Sequence, residues 1–88
     1  MNPTQRRLAR VALGLPNIGA TAFRNIAYAS VGTDGERHWQ AMVAAGWAVP
    51  MPSGNAQLPG YALTHAGAAL AIDAHETLPP DLHQQQEL

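Results

Sequence analysis

The sequence predicts one small domain, mainly α with a small β-hairpin, in the order helix, helix, helix, strand, loop, strand, helix. Three observations predict it. Apolar residues recur at helical spacing through the first half, Gly and Pro punctuate the ends of those stretches, and two short apolar runs, WAVPM and YAL, flank the charge-free stretch PSGNAQLPG. Eighty-eight residues, 47% of them apolar, suffice for one core and leave no room for a second.

Asn2 before Pro3 reads as an N-cap and a first-turn proline, and Leu8, Val11, Ala12 and Leu15 recur until Gly14 and Pro16 intervene. This predicts a helix over 3–13. On its wheel Arg6 and Arg10 lie in solvent opposite Leu8, Val11 and Ala12, with Leu13 beside them on the outer face. After a Pro-Asn-Ile-Gly connector, Thr21 is a second N-cap, and Phe23, Ile26 and Ala27 take positions i, i+3 and i+4, which predicts a helix over 21–29. Thr33-Asp-Gly-Glu36 has the form of a capping box and opens a helix over 34–45. Trp39, Met42 and Val43 then face inward, Arg37, Gln40, Ala41 and Ala44 face outward, and Gly46 supplies a left-handed stop.

Trp47, Val49 and Met51 alternate with Ala48 and Pro50, as in a strand with one buried face, and the prolines confine it to an edge or a hairpin arm. Ser53-Gly54-Asn55 and Pro59-Gly60 supply turns, and Tyr61-Ala-Leu63 returns as the second strand. Thr64 caps a last helix that runs to about 74 and is apolar nearly all round, with Ala66, Leu70 and Ala74 inward and Ala68 and Ile72 outward. The domain therefore spans 1–76. Residues 77–88 read as a mobile or partner-bound tail, broken at Pro79-Pro80 and able to restart as a short helix capped by Asp81.

Composition limits the chemistry. Without cysteine the chain has no disulfide, no thiolate metal site and no cysteine nucleophile. Its N-terminal stretch lacks an apolar run of signal-peptide length, and about 18 consecutive apolar residues occur nowhere, so a soluble cytoplasmic protein with no membrane partner is expected. Asp73, His75 and Glu76 are locally dense in metal-ligating groups. On a helix, however, consecutive positions diverge by about 100°, so no metal site is expected. Neither a recognisable serine triad nor a phosphate-cradling glycine loop is present, which predicts a protein with no enzymatic activity and no cofactor.

All five basic residues are arginines at or before position 37, and 38–72 contains no charged residue. A net charge of −1 argues against tight, sequence-independent nucleic-acid binding, because that affinity comes largely from Lys and Arg neutralising phosphates.

Trp39, Met42, Val43 and Gly46-Trp47, followed by a loop and then Tyr61-Ala-Leu63-Thr64-His-Ala-Gly67, resemble a winged helix-turn-helix domain. Regulators of the multiple-antibiotic-resistance type carry a similar run over about residues 4–74. The stretch 12–46, with LGLPNIG, Phe-Arg24-Asn25-Ile-Ala-Tyr28 and Trp39, is also similar to small tailed-phage proteins that have an Arg-Asn-x-x-Tyr segment before a helix; that likeness implies no activity.

The winged-helix resemblance implies that the third helix enters the major groove and that the wing, 53–58, meets the minor groove or phosphates. Arg37 would then pair with guanine and Gln40 with adenine, while Arg24, Arg6 and Arg10 supply positive charge nearby. The wing offers only Asn55 and Gln57, which hydrogen-bond but release no counterions. The leading expectation is therefore a small phage accessory module that contacts a host or phage protein through these same residues, with a DNA-binding regulator as the alternative. The small residues of the first and last helices also suit a homodimer with Leu13 and Ile72 in its seam.

Overall fold

Asn2 and Gln5 start the first helix, α1 (Pro3–Leu13), by exchanging hydrogen bonds. The Gln5 N–H donates to Asn2 Oδ1 at 2.7 Å, and the Asn2 N–H donates to Gln5 Oε1 at 3.0 Å. This is a capping box with proline in the first turn, where its missing N–H costs nothing. The computed structural model describes residues 1–80 and Leu82. Within them the order is α1, β1 (Ala27–Tyr28), α2 (Asp34–Ala44), β2 (Ala48–Met51), β3 (Gly60–Leu63) and α3 (His65–Ala71), that is, three helices and a three-stranded antiparallel sheet.

The helix expected over 21–29 does not form. Its backbone groups bond to distant parts of the chain: Phe23 N–H to the Leu13 carbonyl at 3.2 Å, Ile26 N–H to Ala12 at 3.2 Å, and Ala22 N–H to Thr77 at 3.0 Å. Thr21, Phe23, Asn25, Ile26 and Tyr28 are all weak helix formers, so long-range bonding overrides the i, i+3, i+4 spacing. The segment runs extended instead and ends in β1, which pairs Ala27 with Tyr61 and Tyr28 with Gly60. Two residues earlier the Asn25 side chain, itself buried, accepts from the Leu63 N–H at 2.8 Å and donates to the Leu63 carbonyl at 2.9 Å.

The face that α1 buries also differs from the expected one. Gln5, Ala9, Ala12 and Leu13 point inward at i, i+4, i+7 and i+8, while Val11 is exposed. α1 lies against α3, where Ala68 and Ala71 are wholly buried like Ala9 and Ala12. Alanines let two helices approach closely, so the small residues rather than the bulky ones set the rotation of each. For α3 the buried set is Gly67, Ala68 and Ala71; Ala66, Leu70 and Ala74 face solvent, the reverse of the expected phase. The helix also stops sooner than expected, at Ala71, because Ile72 is extended.

α2 forms where expected, but only the threonine half of its capping box closes. Thr33 Oγ1 accepts from the Glu36 N–H at 3.3 Å, and Glu36 Oε1 accepts from Gly32 at 2.9 Å because the Thr33 N–H is already given to Ser30. Trp39 and Met42 are buried, and the Trp39 ring stacks on Tyr61 of β3 with centroids 5.6 Å apart. Gly46, at φ +82°, ends the helix: its N–H returns to Val43 and that of Trp47 to Met42.

The sheet order is β1-β3-β2, so every residue of the central strand β3 is buried, and Pro50 sits on the edge strand β2 as its missing donor requires. Within β2 it is Ala48, not the alternate set, that is most deeply buried.

Thr64 joins hairpin to helix. Its N–H donates to the Trp47 carbonyl at 3.0 Å, its Oγ1–H to the Gly46 carbonyl at 2.8 Å, and its Oγ1 accepts from Gly67 at 3.2 Å. A Cβ at Gly67 would fall on the Trp47 carbonyl. Past α3, Thr77 forms a parallel bridge with Thr21, Leu78 packs on the core and Leu82 is wholly buried. The helix restart at Asp81 lies outside the described residues.

Two substitutions, Gly67→Ala and Asn25→Ala, test these joints, with Gly35→Ala as a control. Gly67→Ala should cost about 1–3 kcal/mol, because its obstacle is backbone, whereas Gly35→Ala, whose nearest neighbour would be 3.8 Å away, should be neutral or stabilise by up to about 1 kcal/mol. Urea midpoints at unchanged slope read both. Asn25→Ala removes both bonds to Leu63 and should cost about 1–3 kcal/mol.

Candidate functional site

Arg37, Gln40, Ala41 and Ala44, expected to face outward, share the exposed face of α2. Arg37 is paired with Asp34 one turn earlier, and Gln40 Nε2 leans toward Glu36 at 3.5 Å. The guanidinium on the face that would meet phosphates is therefore already paired with one carboxylate, and the amide beside it leans on another. The pair with Asp34 is exposed and contributes little to stability, so its effect is on surface charge.

In the loop, Asn55 turns back on its own chain. Its Oδ1 accepts from the N–H groups of Gln57 and Leu58, both at 2.9 Å, and its backbone exchanges two bonds with Leu58 at 3.2 Å. Gln57 gives its carbonyl to the Val31 N–H at 3.1 Å and leaves its side chain exposed, while Pro59 accepts from Ala29 at 3.1 Å. These bonds extend the β1–β3 register past the strand ends and brace the loop against 29–31.

Arg24 is not near α2. Its guanidinium donates to the Val11 carbonyl at 2.8 and 3.3 Å and lies 5.5 Å from the centre of the Phe23 ring. It places positive charge on one of the last carbonyls of α1, where the helix dipole favours it. That role follows from the extended course of 21–26 and was hidden by the helix expected there.

Arg6 and Arg10 are the largest correction, since both were expected in solvent. Arg6 Nη2 is 2.5 Å from Asp73 Oδ1. Arg10 holds Glu76 with two parallel bonds, at 2.5 and 2.7 Å, and also donates to the Ala71 carbonyl at the end of α3, at 3.0 Å. Glu76 Oε1 accepts from the Asp73 N–H as well, at 2.6 Å, and only 5% of Glu76 remains exposed. A buried carboxylate is stable only when so fully bonded, and the planar guanidinium fork matches both its oxygens. The Arg10 bonds, then the Asp73 N–H, hold the Glu76 carboxyl down at about 2, and the same contact with Glu76 raises Arg10.

Asp73, His75 and Glu76 do converge, with ligand atoms within 4.8 Å of one another. The expected divergence assumed a helix that has already ended at Ala71. Both carboxylates are committed to arginines, and a divalent cation there would have to displace two guanidinium groups. The cluster reads as an ionic clasp between α1 and the end of α3.

The proposed dimer seam is not on the surface. Leu13 is wholly buried in the domain's own core, and Ile72 packs partly buried against it. A different apolar surface is exposed: Tyr28 and Leu58 are diagonal neighbours on the outer face of the sheet, with Val31 just beyond β1. β1 is an edge, with no strand on its far side among the described residues. No protein-family model, curated protein or solved structure matches the chain.

The clasp predicts an acid dependence. Glu76 titrates near 4.5 in an unfolded chain and at about 2 in the folded one, so between those values the unfolded state binds a proton that the native state does not. Its stabilisation is complete above about pH 4.5 and is lost as pH falls toward 2. Glu76→Gln should lower the urea midpoint at pH 7 and flatten its fall between pH 4.5 and 2. Parallel curves for the two proteins would contradict the clasp.

Proposed function

We propose that the chain is a small, non-enzymatic, winged-helix-like binding module that acts by protein–protein contact, as a cytoplasmic phage accessory factor against a host or phage protein. In the winged-helix reading, α2 leads through Gly46 into β2, the loop is the wing, and Thr64 starts the helix after it, supported by the bonds that tie Thr64 to the end of α2. The helix that such domains place before α2 is replaced here by the extended segment 21–26.

One observation carries the choice of partner. Four of the five arginines are occupied by the protein's own groups: Arg6, Arg10 and Arg37 by carboxylates and Arg24 by a backbone carbonyl. Affinity for nucleic acid grows with the number of phosphates that free cations neutralise, and the wing supplies none. Phe23, Tyr28, Val31 and Leu58 meanwhile expose apolar area, with aromatic rings of the kind that anchor protein interfaces.

Fluorescence anisotropy of labelled duplex DNA at low salt should show no saturable binding tighter than about 10⁻⁴ M, the weak end of non-specific association. Tight, salt-sensitive binding that Arg37→Ala weakens would instead make the chain a DNA-binding regulator. A captured protein partner should survive Arg37→Ala and be lost with the double variant Tyr28→Asp, Leu58→Asp.

A further inference from the structure

One face of α1 lies apart from the exposed apolar surface above and borders the ionic clasp. Pro3, Arg6, Arg7, Arg10 and Val11 recur at i, i+3, i+4, i+7 and i+8, so they form a single stripe along the helix. With Met1, Leu15 and Pro16 they line a groove of about 410 Å³, within the size range of binding clefts. Arg6 and Arg10 lie along it but carry their charge to Asp73 and Glu76. Arg7 is exposed and has no acidic partner among the described residues. Three guanidinium groups against two carboxylates leave one positive charge, set among apolar side chains and arginine stems.

We propose that this groove binds an extended acidic segment of a protein partner, with a carboxylate on Arg7 and a neighbouring apolar side chain against Val11 and Leu15. The proposal rests on the protein-contact reading and names the chemistry of that partner. Charge complementarity selects a carboxylate, because a planar guanidinium donates to both its oxygens and the Arg6 and Arg10 pairs alongside need not open. Length selects a peptide: eleven helical residues rise about 16 Å, which about five extended residues at 3.3 Å each would span. Nucleic acid fits poorly, since one free cation flanked by Met1, Val11, Leu15 and Pro16 neutralises one phosphate and leaves bases and sugars against apolar walls.

The test is selection from a displayed library of random short peptides on the full chain, with counter-selection on Arg7→Glu. Selected sequences should be enriched in Asp or Glu next to an apolar residue. One such peptide, synthesised and titrated by NMR, should shift amides within 1–16, bind at least tenfold more weakly to Arg7→Glu and to Arg7→Gln, and weaken as salt rises. Arg7→Lys should keep part of the affinity, and circular dichroism should show all three variants folded. Recovery of no peptide, absence of acidic enrichment, or equal affinity for the Arg7 variants would overturn the proposal. So would stronger shifts of the same amides by oligothymidylate or octanoate, which would assign the groove to nucleic acid or to a small carboxylate. Peptides that shift 23–31 or 55–58 instead would overturn the groove and leave the protein-contact reading standing. Tight duplex binding would remove that reading itself.

Discussion

In the register that pairs Ala27 with Tyr61, the next position of the ladder that would exchange two hydrogen bonds is 25 against 63. No backbone pair forms there. The carboxamide of Asn25 takes its place, offering the Leu63 peptide the same donor and acceptor that a strand residue would offer. Because the side chain satisfies β3, the backbone of 21–26 is free to leave the sheet and bond to the end of α1 and to Thr77. Glutamine would be a methylene too long for that position, and aspartate would lack the donor. From this substitution follow the two-residue length of β1, the capping of α1 by Arg24, and the replacement of a helix by an extended segment.

A second constraint acts on the other side of the sheet, where α3 must pass close to the Trp47 carbonyl. Only glycine fits at 67, and Thr64 fixes the approach by bonding to both Gly46 and Trp47. With α3 held there, the α1 contact is made by alanines. Alanine contacts bring the helix ends near enough for the Arg10 fork to close on Glu76, so the ionic clasp is a consequence of close helix packing. The clasp in turn neutralises the positive charge of α1 where it would otherwise sit beside a hydrophobic junction.

Elements whose signals are local were legible in the sequence. Asn2-Pro3, Thr33 with Glu36, Gly46, the turn residues around Asn55 and Thr64 with Gly67 act within a few residues, and α1, α2, β2 and β3 stand close to the bounds they predict. What depends on distant partners was not legible. The i, i+3, i+4 spacing of Phe23, Ile26 and Ala27 favoured a helix, and only the position of Leu63 in the folded chain decides otherwise. The rotations of α1 and α3 were misread because helical spacing in alanine-rich stretches does not say which face packs, which the close α1–α3 contact through alanine and glycine decides. For the same reason Leu13 was placed on the outside. Among the candidate site residues, Arg37, Gln40 and Gln57 stand on the surface where expected, but the occupation of Arg6, Arg10 and Arg24 depends on partners 13 to 67 positions away.

The distribution of charge ties these findings to function. In a chain with five arginines and no lysine, every guanidinium used to close the fold is one fewer for a polyanion. Arg10 is used where its two-pronged geometry matters most, on a buried carboxylate, and Arg24 where a helix end needs a cation. Opening either contact to reach a phosphate would leave Glu76 buried without its partner or the end of α1 without its cap. A reader of nucleic acid keeps such groups on its surface. Here Arg10 and Arg24 are structural, the hairpin loop holds itself together through Asn55, and among the described residues Arg7 is the arginine with no carboxylate or carbonyl partner, beside the apolar lining of the α1 groove. On the protein-contact reading proposed above, such a surface would select a partner by shape and by a single charge contact rather than by counterion release.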